Sequence, residues 1–257
     1  MMMFTKWKQL ICIAMICMAG IGYTLSASTP VVQAKGITIK KPLSKKVTHS
    51  FDINATEAVQ WAKADYGDWY QKLSSRDQTV VSGYLRQDYK PINNYLWNKS
   101  AKPATTGTDA ELENKIQSLS TSLHTSPLRD SLITYRRMGA PEYGMELTDP
   151  AYDFSKPENI KAFRDKWMYK EKENPGFLST TLVSDGAEQL NPRKLILRLY
   201  VPDGTKGAYV NFTGTEFGGE YEFLIDKGYK YIIDDITDEV GDDGKVRLVI
   251  DATLLPK

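Results

Sequence analysis

Glu220-Tyr221-Glu222 sets two carboxylates at positions i and i+2. On a strand such positions share one face. Two carboxylates that close repel, which raises one pKa and suits them to proton transfer or to stabilising a developing cation. The spacing alone is common, since Glu111-Leu112-Glu113 and Glu171-Lys172-Glu173 repeat it and read as solvated helical faces. The third pair differs in its setting. It follows Phe217-Gly218-Gly219, a flexible loop with one exposed aromatic, and it begins a strand. Ser179-Thr180-Thr181 closes an earlier strand, and Arg136 and Arg137 end the first one. An arginine pair there can clamp an anion or form surface salt bridges. Ser120-Thr121-Ser122 is a decoy, because it sits among the leucines of a helix.

The elements that must position these groups fall in two blocks. Helices come first. Asn54 is an N-cap with Glu57 three residues on, and Ala58, Ala62, Tyr66, Trp69 and Leu73 follow at helical spacing. A short helix is expected from Ser75 to Leu85, and another opening at Pro91, a residue suited to a first turn. Thr108 with Glu111 caps a helix whose stripe is Leu112, Ile116, Leu119 and Leu123. Ser155 with Glu158 does the same for Ile160, Phe163 and Trp167. Strands follow over 132–136, 177–182, 194–201, 208–212, 221–225, 229–233 and 246–254, with turns at Asp203-Gly204, Lys227-Gly228 and Asp243-Gly244. This order predicts an α+β fold.

Lys6 and Lys8, the apolar run from Leu10 to Gly22 and the small residues around Ala34 form a secretory signal pattern over 1–34. The run is shorter than the ~20 residues that span a bilayer. A basic, mobile arm is expected over 35–50, then one domain over 51–257. Removing Lys6 and Lys8 from 33 basic residues leaves 31 against 32 acidic, a net charge of −1. No basic field invites nucleic acid. Cys12 and Cys17 both lie in the signal, so the mature chain has neither disulfide nor thiolate metal site. His49 and His124 alone are too few for a zinc site, and no metal is expected. No Gly-x-Gly-x-x-Gly fingerprint marks a Rossmann site.

Taken in order, several segments resemble the enzymatic components of binary actin-ADP-ribosylating toxins of the iota and vegetative insecticidal types. They are Tyr84-Leu85-Arg86 through Tyr89 to Ile92-Asn93-Asn94-Tyr95-Leu96, Tyr135-Arg136-Arg137, Phe177 to Thr181, Arg193 to Arg198, Phe217 to Glu222, and Asp251 to Leu255. The similarity covers nearly the whole mature chain. Thr181 stands where the family has a second Ser, and Leu190 where iota-type proteins carry an aromatic. The chain has room for the catalytic domain only, as in the single-domain Rho-modifying exoenzymes. Those carry Gln at the place of Glu220.

The resemblance implies N-terminal helices on a two-sheet β-sandwich and an NAD cleft between the sheets. It implies that Arg136 holds the pyrophosphate with Arg137 and Arg193 in support. Tyr84, Tyr89 and Asn93 would close over phosphates and adenosine, with Thr180 beside them. Ser179 would fix Glu222, which stabilises the oxocarbenium ion as nicotinamide leaves. Glu220 would orient and deprotonate an acceptor arginine, and Phe217 would touch the target protein. It further implies a host acceptor, actin first, a separate translocation subunit as a possible partner, and action in the host cytosol. A Rho-type exoenzyme and an NAD glycohydrolase without protein acceptor are the alternatives within the family. Outside it stand a retaining glycosidase, whose carboxylates lie ~5 Å apart, and an inactive binding module.

Overall fold

The computed structural model describes residues 47–99, 107–184, 193–211, 220–241 and 243–257. The expected signal, most of the arm, Leu190 and Phe217 lie outside them. No described helix is long and apolar enough to cross a membrane.

Helix α1 (Ala55–Tyr66) starts where Asn54 accepts the Glu57 amide, and it buries Ala58, Ala62 and Tyr66. After a single turn, α2 (Trp69–Lys72), comes α3 (Ser75–Gly83), capped by Ser74 through the Asp77 amide at 3.2 Å. The two short helices expected next are one rod. A π-turn over Tyr84–Asp88 carries α3 into α4 (Tyr89–Lys99), with the Tyr89 amide bonding the Tyr84 carbonyl. Pro91 therefore sits inside a helix. It lacks an N–H, and the widened turn just before it is one of the ways a helix absorbs such a residue. Helix α5 (Gly107–His124) follows, with Ile116, Leu119 and Leu123 buried; the Thr108 side chain lies outside the description. It packs on α3 and α4 and reaches the sheet at β5.

The strands are β1 (Leu132–Met138), β2 (Glu171–Asn174), β3 (Leu178–Thr181), β4 (Leu195–Val201), β5 (Gly207–Tyr209), β6 (Glu222–Ile225), β7 (Tyr229–Val240) and β8 (Val246–Leu254). Helix α6 (Pro157–Trp167) lies beside β7. Its cap is not Ser155, whose hydroxyl bonds Asp153 at 2.7 Å; Lys156 is the N-cap and Pro157 takes the first turn. Strand β2 replaces the helical face expected at Glu171-Lys172-Glu173. It pairs antiparallel with β7, which sets Glu171 opposite Ile232 and Glu173 opposite Lys230. Strand β7 runs well past the expected Ile233. Its acidic continuation stays in the ladder because β8 pairs with it through Val240↔Val246 and Arg164 binds its Ile236 carbonyl at 2.8 Å.

The sheet order is β2-β7-β8-β4-β1-β3-β6-β5. The two expected sheets are two blocks of this ladder, β2-β7-β8-β4-β1 and β3-β6-β5, which meet among the described residues at the pair Tyr135↔Thr181. Neighbours are antiparallel except β4 and β8. Leu195, Leu197, Leu199 and Val201 of β4 are fully buried, and each such side chain contributes roughly 1.5–3 kcal/mol. Gly204, Gly228 and Gly244 all take positive φ at the predicted turns. At the described end of the expected arm, His49 bridges to Leu132 and its amide bonds the Ser131 carbonyl at 3.0 Å.

Candidate active site

The functional side chains collect where the two sheet blocks meet. Glu222 opens β6 and pairs in register with Thr181. Ser179 is two residues from Thr181, so it lies diagonal to Glu222 on the same face. The Ser179 hydroxyl bonds the Glu222 carboxylate. Glu222 is only 9 % exposed. Burial pushes its carboxyl up to about 7, and the Glu220 charge adds to the rise, against the Ser179 bond and the Arg136 charge. The Glu222 backbone amide is held by the Asn211 side chain, a partner the sequence did not announce.

Glu220 is brought close but not by strand parity. The strand starts only at Glu222, and Tyr221 between them has φ 46°, in the left-handed region that non-glycine residues rarely adopt. Glu220 is half-buried, and burial raises its carboxyl too. Arg136 reaches the same place from β1. It donates to the Ser179 carbonyl at 2.9 Å and stands 3.5 Å from Glu142. Glu142 lies in the single turn Ala140–Tyr143 after β1, where the run Gly-Ala-Pro-Glu gives a turn signal but no hint of a partner.

From the helical side, Tyr84 occupies the π-turn and is buried. Burial first, then the Glu222 charge, raises its phenol, which places it within electrostatic reach of the carboxylate. Asn93 joins the layers: it donates to the Tyr84 hydroxyl at 3.0 Å and accepts the Phe177 amide at 2.9 Å. Tyr89 is on the same rod and exposed, with the Lys90 ammonium 5.7 Å from its ring.

Three further expected ligands are Arg137, Arg193 and Thr180. Arg137 follows Arg136 on β1, so alternation sends it to the opposite face, where it is buried. Arg193 donates to the Arg137 carbonyl at 3.0 Å. Thr180 is buried on the opposite face from Ser179, its hydroxyl donating to the Phe223 carbonyl at 2.8 Å. Arg193 and Thr180 thus bond backbone carbonyls, apart from the hydrogen bonds of the Arg136–Glu222 cluster. A cavity of about 420 Å³ lined by Lys63, Asp68, Trp69, Ser126 and Arg129 shares none of the cluster's residues. Among the described residues no His, Cys, Asp and Glu side chains group as metal ligands.

A buried carboxylate locked by a hydroxyl, a second carboxylate beside it and an arginine within electrostatic reach can bind an anionic group and stabilise a cation next to it. Known proteins resemble this chain. The sequence model described as ADP-ribosyltransferase exoenzyme matches residues 58–257. The ADP-ribosylating toxin BECa of a C. perfringens binary enterotoxin, solved with NADH, superposes with TM-score 0.73 at 38 % identity, over 80 % of this chain and 49 % of that one. The NAD(+)--arginine ADP-ribosyltransferase EFV of Enterococcus faecalis is 25 % identical over 185 residues, 70 % of this chain and 34 % of its own length. The epidermal cell differentiation inhibitor of Staphylococcus aureus is 27 % identical over 200 residues, 72 % of this chain and 76 % of its own. The chain thus spans about half of BECa and a third of EFV. With the match running through every element of the site, this chain belongs to the ADP-ribosyltransferase exoenzyme family.

Proposed function

We propose that the protein is a secreted mono-ADP-ribosyltransferase that moves ADP-ribose from NAD to an arginine of a host protein. The observation that carries this reading is the buried Glu222 carboxylate, bonded by Ser179, with Glu220 beside it and Arg136 across from it. Arg136 takes the pyrophosphate. Glu222 holds the nicotinamide ribose and offsets the charge that develops as the C1′–N bond to nicotinamide breaks. An arginine nitrogen of the acceptor then bonds to C1′, and its proton passes to Glu220. Free arginine has a pKa above ~12, so it needs such a carboxylate before it can attack.

Glu220 favours arginine over asparagine, because a carboxylate pairs with a guanidinium and the Gln of the Rho-modifying exoenzymes does not. The name of the Enterococcus relative agrees with arginine. Actin is the first acceptor to test, on the order of motifs shared with iota-type components. The basic and apolar segment over 1–34 supports secretion, and entry through a separate translocation subunit fits the same comparison. The experiment is labelled NAD with host-cell lysate. A labelled band cleaved by hydroxylamine is the expected result. A hydroxylamine-resistant band points to asparagine and the Rho-type reading, and nicotinamide release without any band points to a glycohydrolase.

A further inference from the structure

Lys172 has no place in the reaction just described, yet it is half-buried next to it. Strand alternation turns it inward from β2 while Glu171 and Glu173 face out. Its ammonium stands 4.4 Å from the Trp167 ring and 4.5 Å from the Tyr143 ring, and it donates to the Glu142 carbonyl at 3.0 Å. A cation over two aromatic rings that pack edge-on, with one carbonyl bonded, is a fixed point. What it fixes is the Ala140–Tyr143 turn, and that turn carries the carboxylate 3.5 Å from Arg136.

We propose that Lys172 is a positioning residue for NAD. By pinning the Glu142 backbone between β2 and α6, it makes the Glu142 carboxylate hold the Arg136 guanidinium in the orientation that receives the pyrophosphate. The proposal rests on the reading of Arg136 as the pyrophosphate ligand. The groups around the ammonium are the Glu142 carboxylate, the Lys166 ammonium of α6 and the phenols of Tyr143 and of Tyr231, which is paired with Lys172 across the ladder. Burial lowers the Lys172 pKa, Glu142 opposes the change and Lys166 assists it. Its cation is therefore lost on the alkaline side, before an ordinary lysine near ~10.4 would lose it.

The test is steady-state NAD hydrolysis by the full chain carrying Lys172→Met, Lys172→Arg or Arg136→Ala. Lys172→Met keeps the apolar stem and should raise KM for NAD by about five-fold with kcat nearly unchanged. Lys172→Arg should restore most of that loss. In the wild type KM should climb on the alkaline side, and Lys172→Met should flatten the climb. If Arg136→Ala raises KM and Lys172→Met does not, the proposal fails while the Arg136 reading stands. If Arg136→Ala leaves KM unchanged, the Arg136 reading falls and takes the proposal with it. Equal losses of kcat in the Met and Arg variants, with lowered melting, mean a merely structural lysine and overturn it. Should Lys172→Met not fold, a wild-type KM that is flat into the alkaline range overturns it as well.

Discussion

Glu222 is kept where its charge is disfavoured, and this has consequences for both activity and stability. Its carboxyl is raised to about 7 from an ordinary 4.5, so the folded state holds its proton more tightly than the unfolded chain. The cost of ionising it is absent below the unfolded value, grows between the two, and is complete above pH 7, on the order of 3 kcal/mol. Glu222→Gln should therefore raise the melting temperature at pH 8 and leave it unchanged at pH 4, as scanning calorimetry would read. The same substitution should lower NAD hydrolysis and transfer together by at least ~100-fold, because both pass through the oxocarbenium ion. Wild-type hydrolysis should rise with pH through about 7, as the carboxylate forms. Glu220 should separate the two activities. Glu220→Gln is expected to remove transfer to arginine and keep most NAD hydrolysis, since water requires less assistance than a guanidinium; equal loss in paired assays would give Glu220 a part in NAD cleavage too.

At the scale of elements, the α3–α4 rod meets strand β3 through one amide side chain. Asn93 binds Tyr84 on its own rod and the Phe177 backbone ahead of β3. Gly176 makes the contact possible. A Cβ there would lie 2.5 Å from the Asn93 side-chain oxygen and 3.4 Å from the Trp97 indole nitrogen. Gly176→Ala must push the Asn93 amide away and strand its two partners. It should cost about 1–2 kcal/mol in denaturant melts and weaken NAD binding several-fold by calorimetry. Unchanged binding would place Asn93 outside the NAD site. Trp97 lies two turns from Tyr89 on the same α4 face, and both aromatics are exposed at this edge.

Across the whole molecule, the helical layer is fastened to the sheet by a buried acid. Asp226, in the turn between β6 and β7, is 1 % exposed and accepts from Ser120 at 2.8 Å and His124 at 2.9 Å, both on α5. Burial alone would raise its pKa, but the bonds from His124 and Ser120 and the charges of Lys227 and Lys257 outweigh it and hold the carboxyl low. With the folded value below the unfolded one, this fastening is present above about pH 4 and is lost as pH falls through the folded value. Asp226→Ala should destabilise the chain by about 2 kcal/mol at pH 7, read by urea denaturation, and by less at pH 3. NAD affinity should barely change, because none of these groups touches the Arg136–Glu222 cluster.

Local order was legible wherever one period decided it. The Asn54 cap, the α5 stripe, β4, β8 and the glycine turns follow from spacing alone, and so does the α+β order. The site residues were singled out differently: Glu220, Glu222, Ser179 and Arg136 stood out by their setting and order in the sequence, and the fold brings them together. Long-range pairing decided the rest. The short charged segment at Glu171 became a strand only because β7 offered an edge, and β7 grew only because β8 ran beside it. The faces taken by Arg137 and Thr180 follow once their strands are registered; before that, neighbouring arginines and hydroxyls look interchangeable. Glu142 and Lys172 acquire a role only when β1, β2 and α6 meet. The Glu222 pKa is tertiary as well, since a sequence can place two carboxylates together but only packing removes the water around them.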